Sequence, residues 1–270
     1  MEPNDYLPAH VRLFHSSHAQ TIALGDSHMA YGFVPSRDAV NLAFPGETIE
    51  DISHKAFSYL STRRVTRAVV QADAHMFSAY RANTEADYKA LFDRTFDDTR
   101  AATIRTLSGY HRPKLFAYWR VWLLKGSFDA RARFHESGWI ESADHWELVD
   151  ERIRQTIARD RAKLQDPIDD FAQQKAALAY AALLARLVKA GVNTCIVEFP
   201  VSDEYYNHED IPKIAAVRHW FAAEAVRLGI RYNSYHREFR NQPQFFSDSD
   251  HLSSAGAAAF SEKVVRDCFE

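Results

Sequence analysis

The sequence predicts an α/β fold: a three-layer αβα sandwich with helices on both faces of a central, mostly parallel sheet. Two observations carry this. Short apolar runs that stop at Gly or Pro alternate along the chain with longer segments of helical periodicity. The composition, 270 residues with 46% hydrophobic and 26% charged, is that of a globular chain able to bury a sizeable core. Residues 1–270 are therefore read as one domain, with 81–170 as an insertion in it.

The elements follow in order. Residues 21–24 (Thr-Ile-Ala-Leu) form an apolar run halted by Gly25-Asp26, the pattern of a buried strand ending in a turn. Residues 40–44 make a second short strand closed by Pro45-Gly46. From Thr48 to Leu60, the apolar positions Ile49, Ile52, Ala56, Phe57 and Leu60 share one helical face. Residues 67–72 read as a third strand. Residues 171–190 read as an Ala- and Leu-rich helix stopped by Gly191. Residues 194–199 form a fourth strand before Pro200. A helix over 212–228 closes at Gly229, a short fifth strand covers 230–234, and a last helix runs from Ser253 to Phe269 with Ser253 or Ser254 as its N-cap.

Between Tyr80 and Asp170 the alternation fails. This stretch holds four of the five tryptophans and no convincing strand, and it is read as a mostly helical cap over the sheet. Phe116, Tyr118, Trp119 and Trp122 fall at helical spacing, which suits core packing or a sugar-stacking platform. Arg112, Lys114, Arg120 and Lys125 flank them, as a solvated face or as contacts for an acidic polymer.

Charge and segment patterns set aside several functions. The net charge of −3 gives no basic footprint for nucleic acid. No apolar stretch reaches the roughly 18 residues needed to span a bilayer. The N-terminus has no basic region followed by an apolar core, so no signal peptide is expected; the compartment stays open. Cys195 and Cys268 are expected to be unpaired thiols. No cofactor motif is present. His28, Asp73, His75, Asp250 and His251 could converge at the sheet edge, but no compact pair such as His-Glu-x-x-His accompanies them, so no metal is expected.

The chemistry is carried by two segments. Gly25-Asp26-Ser27-His28 directly follows the first strand, where open α/β sheets place their ligands. Asp248-Ser249-Asp250-His251 precedes the last helix. A serine nucleophile needs a base within hydrogen-bond reach, and that base needs an orienting acceptor. Each segment also has a plain structural reading, as turn chemistry in the first case and as negative charge at a helix N-terminus in the second.

Taken together, in the order Ser27, Asp248, His251, the two segments resemble the SGNH, or GDSL-like, hydrolase superfamily. The resemblance covers about two thirds of the chain and leaves out 81–170. It implies the flavodoxin-like SGNH fold and a Ser27–His251–Asp248 triad that forms an acyl-enzyme. The oxyanion would rest on the backbone N–H groups of Ser27 and Gly46, the glycine after the second strand. The family's third block, Gly-x-Asn-Asp, departs here to Gln71-Ala72-Asp73-Ala74-His75, so that Asp73 stands where an asparagine donor is expected. An ionised carboxylate cannot donate, which leaves His75, or else Gln71, as the expected side-chain donor. The altered block, with Pro200 and Tyr205-Tyr206 after the fourth strand, resembles the alginate O-acetyltransferase-like and D-alanyl-transfer-like branch. That implies an acylated carbohydrate or polysaccharide substrate, with water or a sugar hydroxyl as acyl acceptor. A catalytically impaired carbohydrate-binding or polymer-assembly module is the alternative that Asp73 favours.

Overall fold

A computed structural model describes residues 7–82, 92 and 132–270. In chain order the elements are α1 (Leu7–Ser16), β1 (Thr21–Leu24), α2 (Ser27–Gly32), β2 (Ala39–Asn41), α3 (Ile49–Leu60), β3 (Arg67–Gln71) and α4 (Ala79–Ala82). They continue as β4 (Ala132–Phe134), β5 (Ile140–Ser142), α5 (Glu151–Gln165), α6 (Lys175–Lys189), β6 (Asn193–Glu198), α7 (Asp203–Tyr206), α8 (Ile211–Leu228), β7 (Arg231–Ser234) and α9 (Ser254–Phe269). The central sheet has the order β2-β1-β3-β6-β7, and every pairing in it is parallel. Helix α6 packs against both α3 and α8, and α2 packs with α9, which makes the αβα sandwich.

Local chemistry explains the ends of these elements. Thr48 caps α3 through a reciprocal capping box with Asp51. Ser253 accepts from the Gly256 N–H at the start of α9, and Gly229 ends α8 in the left-handed region at φ 64°. α6 begins at Lys175 rather than 171, because extended Gln174 separates it from a 3₁₀ turn over Phe171–Gln173.

Two expectations are corrected. Cys195 and Cys268 form a disulfide, with Cα atoms 5.7 Å apart. Cys195 is buried within β6 and Cys268 in the last turn of α9, and packing of that helix on the sheet joins positions 73 residues apart. Second, the stretch read as lacking strands contains the antiparallel hairpin β4–β5. Its strands are three residues each, too short for an alternation to stand out as a period of two. The other half of the expected cap includes α5, which is helical as anticipated. The aromatic stripe Phe116, Tyr118, Trp119 and Trp122 and the cations Arg112, Lys114, Arg120 and Lys125 lie outside the described residues. Among the described residues, no helix is long and apolar enough to cross a membrane.

The strand order sets the place of the site. The chain leaves β1 for β2 on one side, then returns to β3 on the other. The carboxyl ends of β1 and β3 therefore flank a topological switch point, where open α/β sheets bind ligands.

Candidate active site

Ser27 is the first residue of α2, separated from the end of β1 by Gly25 and Asp26. The turn needs Gly25: a Cβ there would lie 2.3 Å from Gln71 Oε1 and 2.6 Å from Met29 Cβ. Asp26 caps α2 by accepting the His28 N–H at 3.1 Å. Ser27 itself is 8% exposed. Among the described residues, neither its hydroxyl nor its backbone N–H has a hydrogen-bond partner. The same holds for the N–H of Gly46, which sits at φ +88° in the turn beyond β2, beside β1 in the sheet.

The Asp248–His251 loop organises itself. Asp248 Oδ1 accepts the backbone N–H groups of Asp250 (3.0 Å) and His251 (2.8 Å), and Oδ2 lies 2.8 Å from His251 Nδ1. An acceptor at Nδ1 fixes the tautomer with the proton there and leaves Nε2 as the basic nitrogen. His251 Nε2 is buried and has no hydrogen-bond partner among the described residues. The His251 ring lies 5.0 Å from that of His28 and 5.3 Å from that of Tyr31, both on α2, the helix that begins with Ser27. No hydrogen bond joins Ser27 to His251.

His28 is clamped between two carboxylates. Its Nδ1 meets Asp73 Oδ2 at 2.9 Å, and its Nε2 meets Asp250 Oδ2 at 3.2 Å. Burial favours the neutral ring, but the hydrogen bonds to Asp250 and Asp73 outweigh it and push the pKa up to about 10. His28 is thus an imidazolium. Asp250 Oδ2 also accepts Arg161 Nε at 3.0 Å and Gln165 Nε2 at 2.9 Å, both from α5. Burial would raise the Asp250 carboxyl, yet Arg161 and its histidine neighbours hold it well below the usual range.

A stability profile follows from this clamp. The folded pKa of His28 exceeds its ordinary value of 6.5, so its contribution is complete below about pH 6.5 and is lost as pH rises toward 10. Urea unfolding at pH 7, 8.5 and 10 is expected to show native protein losing its advantage over His28→Gln across that interval. An advantage independent of pH would mean that His28 is not ionised in the fold.

The departed third block is fully committed. Asp73 Oδ1 accepts the Phe199 N–H at 2.7 Å, and Oδ2 accepts from His28 and from Gln71 Nε2 at 2.8 Å. Asp73 is therefore a buried acceptor for three donors. Gln71 gives its remaining N–H to Asp26 Oδ1 at 2.8 Å, while its Oε1 accepts the Asp26 N–H at 2.8 Å. His75 Nε2 lies 2.8 Å from Asp26 Oδ2. Burial lowers the pKa of His75, so the ring is neutral, its single N–H goes to Asp26, and Nδ1 is left as an acceptor. Gln71 and His75, the expected oxyanion donors, thus have no N–H to spare. Asp26 is the hub of this network. Burial opposes its charge, but Arg81, His75 and His28 hold it well below the usual carboxylate range.

The histidines and carboxylates do converge. His28 with Asp73 and His75, and His28 with Asp250 and His251, each bring three possible ligand atoms together. Both nitrogens of His28 face carboxylates at hydrogen-bond distance, so a cation there would have to displace the protons that the ring shares with Asp73 and Asp250.

Arg81, Arg161 and Gln165 carried no signal in the sequence. Arg161 and Gln165 reach Asp250 across 89 and 85 residues, and Arg81 reaches Asp26 across 55.

No protein-family model matches the chain, and a search of the curated proteins finds no match to it.

Proposed function

We propose that the protein is a serine-dependent ester hydrolase or O-acyltransferase, with Ser27 as nucleophile, His251 as base and Asp248 as its orienting partner. The observation that carries this reading is the state of His251. Asp248 holds its Nδ1, and its Nε2 is a buried lone pair without a partner among the described residues, in a ring packed on the helix that starts at Ser27. A buried base left unsatisfied costs stability, and a catalytic role explains why it is kept.

In the proposed reaction His251 Nε2 takes the hydroxyl proton of Ser27 as Oγ bonds to the ester carbonyl carbon. Asp248 stabilises the imidazolium so formed. The carbonyl electron pair moves to oxygen, where the unpaired N–H groups of Ser27 and Gly46 can receive it. Collapse expels the alcohol with the proton from His251, and water or a sugar hydroxyl then resolves the acyl-enzyme. The lack of a Ser27–His251 hydrogen bond in the free protein is compatible with this, since catalytic hydrogen bonds often form only when substrate binds. The motif resemblance to SGNH hydrolases supports the same reading and supplies the substrate class, an acylated carbohydrate or polysaccharide.

The second reading is a fold that binds such a polymer without turning it over. The missing Ser27–His251 hydrogen bond and the committed Asp73, Gln71 and His75 favour it. A fluorophosphonate probe separates the two. Covalent labelling mapped to Ser27, and lost in Ser27→Ala, is the expected result. A folded protein that resists labelling under conditions that label a control serine esterase would favour the binding module.

A further inference from the structure

We infer that Arg81 supplies the side-chain N–H that stabilises the oxyanion, in place of the asparagine absent from the third block; this rests on the serine-esterase reading above. Arg81 belongs to α4, which follows the third block directly. One of its terminal amino groups donates to Asp26 Oδ2, beside His75 Nε2 on the same oxygen. Asp26 immediately precedes Ser27. The side chain is 9% exposed, and its Nε and other terminal nitrogen are buried with no hydrogen-bond partner among the described residues.

A guanidinium cannot shed its charge, and buried N–H donors left without acceptors destabilise a fold. Natural proteins keep such donors rarely, and a transient acceptor is one reason to do so. The elimination is local. Asp73 cannot donate, both N–H groups of Gln71 are used, and neutral His75 gives its only N–H to Asp26. Arg81 alone, of the side chains gathered on Asp26, has N–H groups to spare. Asp26 anchors it by one edge, so the other donors are held in place before any substrate arrives, which is the condition under which an oxyanion donor acts.

As Ser27 Oγ bonds to the carbonyl carbon and His251 takes its proton, the carbonyl π pair becomes the oxyanion's charge. That oxygen would accept from Arg81 together with the N–H groups of Ser27 and Gly46. When the alkoxide leaves, the pair returns to the carbonyl, His251 returns the proton to the leaving oxygen, and Arg81 is again without a partner.

The test uses the full chain, a neutral chromogenic acetyl ester, and phenylboronic acid, which forms a tetrahedral anionic adduct on a reactive serine. Arg81→Lys retains the charge beside Asp26 but not the fork of donors. It is expected to lower kcat about 10²-fold with KM nearly unchanged, and to weaken boronate inhibition by a similar factor. Thermal unfolding checks that the variant is folded. If it is not, Asp26→Asn combined with Arg81→Gln removes both charges of the pair together, and the same losses are expected. An unchanged kcat in a folded variant overturns the inference. So does a fall in kcat with boronate affinity intact, which would mean that Arg81 only positions Asp26. A defect confined to esters bearing a carboxylate or phosphate also overturns it, assigning Arg81 instead to the substrate's own charge. Wild-type protein that neither labels at Ser27 nor turns over esters fails the esterase reading and takes this inference with it. A labelled, active wild type with an equally active Arg81→Lys fails this inference alone.

Discussion

Ser27→Ala is expected to bring turnover of a chromogenic acetyl ester to background, a loss of about 10⁴-fold or more, and His251→Ala to do the same. The two residues act as one unit, so the double variant should be no slower than either single one. Neither change should unfold the protein. The Ser27 hydroxyl makes no hydrogen bond among the described residues, so its removal orphans nothing. Removing the His251 ring frees Asp248, whose side chain is 47% exposed and can be hydrated. Thermal unfolding within a few degrees of the parent, with activity gone, is the expected pair of measurements. Retention of most of the activity in either variant would remove that residue from the mechanism.

The largest expected effect on stability lies behind the Gly46 turn. Lys55 and Glu47 form an ion pair with both side chains fully buried. Glu47 Oε2 also accepts the Phe44 N–H at 3.1 Å, while the Glu47 N–H returns to the Phe44 carbonyl at 3.3 Å. The pair therefore braces the Pro45-Gly46 turn from within the core. Lys55→Met leaves the Glu47 carboxylate in a dry site with one backbone donor, and breaking a buried pair from one side costs about 3–5 kcal/mol. Glu47→Gln with Lys55→Met removes both charges and should recover most of that loss, because two desolvation penalties vanish with the attraction. Urea unfolding of the parent, the single and the double variant measures this directly. A double variant as unstable as the single one would show that packing of the lysine stem, and not charge, governs the site.

Much of the frame was legible because it depends on neighbours in sequence. Burial on both faces makes the inner strands β1, β3 and β6 largely apolar, and Gly25, Pro45, Pro200 and Gly229 mark the limits of strands or helices. The caps Thr48 and Ser253 act within three residues of themselves. The pairing of Asp248 with His251 is of the same kind, since a three-residue loop lets one side chain meet both the ring and the backbone of the other. β4 and β5 were not legible, because three residues are too few to establish a period, and α1 was not anticipated at all.

The candidate site divides along the same line. The sequence by itself determined the chain order of the five sheet strands and of helices α3, α6, α8 and α9, the turn that presents Ser27, and the local partnership of Asp248 with His251. Each follows from dihedral preference, apolar spacing or hydrogen bonds over a few residues. Only the tertiary structure decided which donors remain free. His28 could serve as base, ligand or cation until Asp73 and Asp250 closed on its two nitrogens from 45 and 222 residues away. Gln71 and His75 were spent on Asp26, two nitrogens of Arg81 were left without partners among the described residues, and Cys195 found Cys268. The physical reason is that the charge state and hydrogen-bonding capacity of a buried polar group belong to its partners in space, and packing, not adjacency along the chain, selects those partners.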